Sequence, residues 1–258
     1  MRDLDLVVAT QPPAKPLASL STEAKLSLCA VFIQAWLVLL HFRLAGHDSA
    51  NVRVVGQAFD LMRESTIPSA FAALQALFAS VIAGAMAGKV RHMDTKRRWI
   101  GWLSLMAVFF IIAADDAGAI HERINAIVSL QLVESLHYPS YPWHVVLVPF
   151  FAIALLVPLW AIRSDLAIKP SQQVALGMAL VCYALALAFD FAEGWEMMTR
   201  VQGDPIPAQL VQMMVAEEIL EMIGTTLFVY VFLTTLLHNL PQQPLSLLRL
   251  TNNTTSKP

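Results

Sequence analysis

Residues 99–123 read WIGWLSLMAVFFIIAADDAGAIHER. From Trp99 to Ala114, sixteen residues pass without a charge. At 1.5 Å per residue a helix of that length reaches about 24 Å into a hydrocarbon layer roughly 30 Å thick. Asp115, Asp116, His121 and Glu122 then crowd into the next eight positions. The stretch reads as a membrane span whose far end carries chemistry, because ionisable side chains inside spans are costly and mark bundle interiors or watery cavities.

Working outward, five further apolar runs of similar length fall at 26–45, 67–88, 143–162, 172–193 and 209–238, with the first described here at 99–122. The composition agrees: 57% of residues are hydrophobic and 14% charged, against roughly 45–50% and 25% for soluble domains. Barrel strands would be shorter and alternating. The expected fold is therefore an all-α integral membrane protein, a bundle of about six transmembrane helices with both termini cytoplasmic. The expected organisation is a cytoplasmic tail at 1–25, a six-helix domain at 26–240 and a flexible cytoplasmic tail at 241–258.

Orientation follows from Lys and Arg, which concentrate on cytoplasmic loops. KVRHMDTKRR at 89–98, Lys15 and Lys25, Arg163 and Lys169, and Arg249 and Lys257 all fall on one side of a six-span arrangement. The opposing segments 46–66, 131–142 and 194–208 are poorer in base, and Tyr138, Tyr141 and Trp143 suit an interfacial aromatic belt. The first 25 residues lack a basic start followed by an apolar region, so the first span is expected to serve as its own insertion signal. Short loops without an organelle-targeting signal point to a bacterial inner (plasma) membrane. A net charge of −2 argues against a nucleic-acid partner. Cys29 and Cys182 lie inside apolar runs and read as buried small side chains.

Depth singles out the candidate site. Sixteen residues precede Asp190 from Val174, sixteen follow Glu221 from Met222 to Leu237, and fifteen precede His41 from Leu26. Four spans thus set ionisable groups at one level in the outer part of the membrane, with His144 slightly higher. On a continuous helix at about 100° per residue, Asp115 and Glu122 share a face, and His121 lies well round from Asp115. Asp190 and Glu193 are i,i+3 neighbours, Glu217 and Glu221 are i,i+4 neighbours, and Glu218 points aside. Gly118, Gly194 and Gly224 stand beside the acids, where small residues let helices approach.

So many carboxylates at one depth repel unless protons or a cation neutralise them. The expected solution is a divalent metal, Fe, Mn or Zn, held by Asp115, Glu122, Asp190, Glu193, Glu217 and Glu221 with nitrogen from His121 and His41. Glu122 and Glu218 are the candidates for a catalytic proton acceptor. HERIN at 121–125 opens like the HExxH zinc-protease motif, but Asn125 replaces its second histidine. The acid pairs likewise lack the Glu-x-x-His repeats of ferritin-like bundles. The function expected is a metal-dependent oxidase or hydrolase acting on a lipid-soluble small molecule, with membrane lipids as surroundings. The alternatives are a cation- or proton-coupled transporter and a non-catalytic subunit with a membrane-protein partner or in a homo-oligomer.

Overall fold

The computed structural model describes residues 21–44, 55–62, 66–91, 96–127, 140–166, 169–200 and 206–239, apart from the side chains at 122, 125–127, 142 and 146. Most of the expected N-terminal tail, the C-terminal tail, His137, Tyr138 and the Glu122 side chain lie outside the described residues. The helices are α1 (Thr22–Leu44), α2 (Ile67–Val90), α3 (Lys96–Gly118), α4 (Ile120–Ile127), α5 (Pro142–Ala161), α6 (Arg163–Leu166), α7 (Pro170–Thr199) and α8 (Ala208–His238). All but α4 and α6 are long and apolar enough to cross a membrane. The described residues contain no strand.

Helix starts are set by local chemistry. Thr66 and Ser69 form a reciprocal capping box on either side of Pro68 at the start of α2. Pro142 and Pro170 open α5 and α7, where a missing N–H costs nothing. At α1 the Ser21 hydroxyl accepts from the Ala24 N–H, so the helix begins inside the expected tail. Helix α7 runs six residues past its expected end at 193, and a further departure is at 118–120. The run expected to continue to 122 breaks after Gly118, and Ala119 takes a left-handed conformation with φ 50° before α4 begins.

Helices α2 and α3 pack along one another, as do α7 and α8; α2 bridges to α8, α1 lies against α8, and α5 leans on α3. The sequence α5, α3, α2, α8, α7 makes an arc. Its close-packed half rests on buried alanines of α2 at 76, 79, 83 and 87, spaced at helical intervals so that neighbouring backbones can approach. Into that half pack Trp102, Phe109, Phe228 and Phe232, with Trp102 edge-on to Phe232 at 5.3 Å and Phe109 edge-on to Phe228 at 5.1 Å.

Polar side chains in this interior are partnered across helices. Gln34 Nε2 of α1 donates to Met222 O at 2.9 Å and Thr226 Oγ1 at 2.8 Å, and Gln75 Nε2 of α2 donates to Thr226 Oγ1 at 2.7 Å. Gln172 Nε2 donates to Thr235 Oγ1, tying α7 to α8 at the opposite end from the acids. The outside of the bundle is apolar: Phe32 is 74% exposed, and Leu74, Ile153 and Val174 also face outward. Such a surface greatly exceeds the apolar patches of soluble monomers.

The basic end is closed by one acid. Buried Asp165 of α6 accepts from Arg98 Nε at 3.0 Å and from Trp102 Nε1 at 3.0 Å. Removing it strands the Trp102 N–H in the core. Asp165→Ala should therefore cost about 2 kcal/mol, and Asp165→Asn, which keeps an acceptor, clearly less. Thermal unfolding followed by circular dichroism in detergent checks the order.

Candidate metal centre

The site is assembled from the ends of α7 and α8. Asp190 and Glu193 project from one turn of α7, and Glu217, Glu218 and Glu221 from one turn of α8. Asp190, Glu193 and Glu217 each offer an oxygen within 4.8 Å of the other two. Three points so placed share a centre at most about 2.8 Å from each, a little beyond the roughly 2.0–2.6 Å of metal–oxygen bonds, so small side-chain adjustments would close on an ion.

Two glycines permit this approach. A Cβ at Gly224 would stand 2.9 Å from the Tyr183 ring, so its absence lets α8 lie directly on α7. A Cβ at Gly194 would fall onto Ser140 Oγ and stand 2.9 Å from Tyr141 N. The segment entering α5 therefore rests on the α7 backbone, and Ser140 Oγ donates to Phe191 O at 2.9 Å.

That segment supplies partners for the acids. Tyr141 O–H donates to Glu193 Oε1 at 2.8 Å, and buried His144 places Nε2 at 2.8 Å from Asp190 Oδ2. The His144 ring is held between aromatic neighbours, with Trp143 at 4.4 Å and Phe191 at 5.7 Å between centroids. Burial, reinforced by the adjacent Glu193 charge, holds the Tyr141 hydroxyl well above its ordinary titration range. It therefore stays a proton donor.

Across the cavity stands a second pair. Asp115 Oδ1 accepts from the His121 backbone N–H at 2.8 Å, and Asp115 Oδ2 lies 3.0 Å from His121 Nδ1. This corrects the helical-phase argument. The break at Gly118–Ala119 turns the chain back, so the histidine expected well round from Asp115 sits on it. The contacts to Asp115 offset the cost of a left-handed alanine, of the order of 1–2 kcal/mol.

A cavity of about 470 Å³ opens from these groups. Its acidic end is lined by Asp115, Asp116, His121, Asp190, Glu217, Glu218 and Glu221; its other end by apolar residues of α3, α5 and α7, closing on Phe109 and Phe228. Six carboxyls against one imidazole is a charge imbalance that a cation or shared protons must relieve.

The expected ligands divide accordingly. Asp190, Glu193 and Glu217 come together, and of these Asp190 and Glu217 line the cavity; Asp115, His121, Glu218 and Glu221 line it without joining the three. His41 does not reach it. Its Nδ1 accepts the Leu61 N–H at 3.2 Å and lies 3.6 Å from Asp60, and Leu61 packs on Val215 and Met222. Those residues lie roughly 100–160° round α8 from Glu217 and Glu221. Tyr141 and His144 are the site residues that the ligand set left out: depth marked His144 as a neighbour, whereas Tyr141 gave only an interfacial signal.

The chain belongs to the family described as Domain of unknown function (DUF8692), which matches residues 26–236 and so takes in every residue lining the cavity. No curated protein and no solved structure matches it.

The Tyr141 environment can be read directly. Because its neutral form persists to higher pH, difference absorbance between the native protein and Tyr141→Phe should show no tyrosinate at about pH 11, one unit above the ordinary value of roughly 10.

Proposed function

We propose that this family member is a multi-pass protein of a bacterial inner membrane, with both termini cytoplasmic, whose acidic end holds a divalent cation at the head of a lipid-facing cavity. The observation that carries the reading is the convergence of Asp190, Glu193 and Glu217 oxygens within 4.8 Å in an apolar bundle. The membrane assignment is supported by the six long apolar helices and their exposed apolar faces. The orientation is supported by the gathering of Arg98, Arg163 and Lys169 at the end opposite the acids.

An oxygen-rich donor set favours Mn among Fe, Mn or Zn. When bound, such an ion would act as a Lewis acid toward a lipid-soluble molecule in the cavity. The chain's own part is to orient and exchange protons. His144 and Tyr141 fix the Asp190 and Glu193 carboxylates, as outer-shell partners do for metal ligands. Glu218 and Glu221, facing the same space, are the proton acceptors. A metal-dependent oxidase or hydrolase is thus favoured over a transporter, since the cavity ends on the Phe109–Phe228 aromatic floor and a transport pathway would continue through it.

Elemental analysis of protein purified without chelator should find about one Mn, Fe or Zn per chain, falling below about a tenth of that in Glu217→Gln while the helical circular dichroism is kept. Full metal retention by the variant would overturn the site. Tyr141→Phe should weaken metal affinity by about tenfold, in line with the loss of an outer-shell partner.

A further inference from the structure

Access to the cavity is lateral. Ala152 and Leu156, one turn apart on α5, and Ala184 on α7 all line the cavity and are all exposed, Leu156 to 52%. Lining side chains this accessible mark the cavity's opening, and alanine on each rim keeps it wide. The packing explains why it exists. Helix α5 leans on α3 along its length, while its ties to α7 are those of Ser140, Tyr141 and His144 at the acidic end. Pro149 near the middle of α5 and Pro158 in its last turn remove two backbone donors and loosen the helix. The arc of helices is pinned shut at one end and parted below.

The shape of the space limits its occupant. The lining runs from Glu217 to Phe228 on α8 and from Leu180 to Asp190 on α7, a length of about 15–16 Å. An alkyl chain lies along an apolar space of that length. The head of the space is acidic, and even a divalent cation leaves the six lining carboxyls in excess of positive charge. A phosphate or carboxylate head would be repelled there, whereas an amine or hydroxyl would find acceptors.

We propose that the cavity seats a long-chain amphiphile, admitted from the bilayer between α5 and α7, with a hydrogen-bond-donating head free of negative charge at the acids and its chain on the Phe109–Phe228 floor. This rests on the membrane reading above and names the substrate class of the same site.

The test is photolabelling in lipid bilayer discs with a long-chain primary amine bearing a diazirine near its methyl end, the labelled peptides being mapped by mass spectrometry. Labels are expected on the cavity-lining stretches around Leu155 and Leu180. Ala152→Trp and Ala184→Trp should each reduce labelling by about tenfold or more, equivalent to ~1.4 kcal/mol of binding. A long-chain alcohol should compete, and the matching carboxylic acid should not. Labelling confined to outward residues such as Phe32 and Leu74, or undiminished in both folded tryptophan variants, overturns the proposal, as does equal competition by the acid. If one variant fails to fold, the other and the competition decide.

Metal content of the same samples separates this outcome from the cation site. Metal-bearing protein labelled only on its outer faces overturns the amphiphile and leaves the cation standing. Cavity labelling of metal-free protein upholds the amphiphile and overturns the cation.

Discussion

A carboxylate withdrawn from water must be given a partner, and that requirement fixes both ends of this bundle. Asp165 takes Arg98 and Trp102; Asp190 takes His144; Glu193 takes Tyr141; Asp115 takes His121. In all four cases the partner comes from a different helix or from the segment leading into one, so meeting the charge also docks an element. An unpartnered ion in such surroundings would cost several kcal/mol, more than most packing contacts contribute. The acids therefore act as rivets, and the apolar faces between them settle the remaining geometry.

The cavity is a consequence of where those rivets lie. Helix α5 is fixed to α7 through Ser140, Tyr141 and His144 and packs on α3, but its apolar length has no matching ridge on α7. On the other side of the arc, Gly224 and the α2 alanines bring backbones close enough for dense packing. The Gln34–Gln75–Thr226 hydrogen bonds then hold α1, α2 and α8 together without a charge. One half is built for rigidity and the other for space, the usual division between stable core and functional opening.

Legibility in the sequence followed the kind of information each feature carries. Span positions depend on length and polarity, which are local, and the long helices fall within a few residues of their expected places. Depth along a span is equally local, so Asp190, Glu193 and Glu217 could be set at one level and, through i,i+3 and i,i+4 spacing, on coherent faces. Azimuth between helices is not local. His41 has the right depth, yet Leu61 holds it on the far side of α8. The break after Gly118 was hidden because a glycine between acids reads equally well as a packing residue, and the left-handed position falls on Ala119, one residue later. Asp165 looked like part of a cytoplasmic loop because nothing in its neighbourhood announces a distant Trp102.

The pairing rule also explains why the remaining acids gather where they do. Glu217 stands beside Asp190 and Glu193, which already have His144 and Tyr141, and Glu218 and Glu221 add their carboxyls to the same space. A site selected only for stability would replace such a crowd with apolar residues of similar volume, since buried charges seldom repay their desolvation. Retaining them at the head of a dead-ended, laterally open cavity makes physical sense if something positive completes the set. Asp190 and Glu193 then serve both purposes: each is tied to the α5 side of the bundle by one partner, and each offers an oxygen beside Glu217 to a cation.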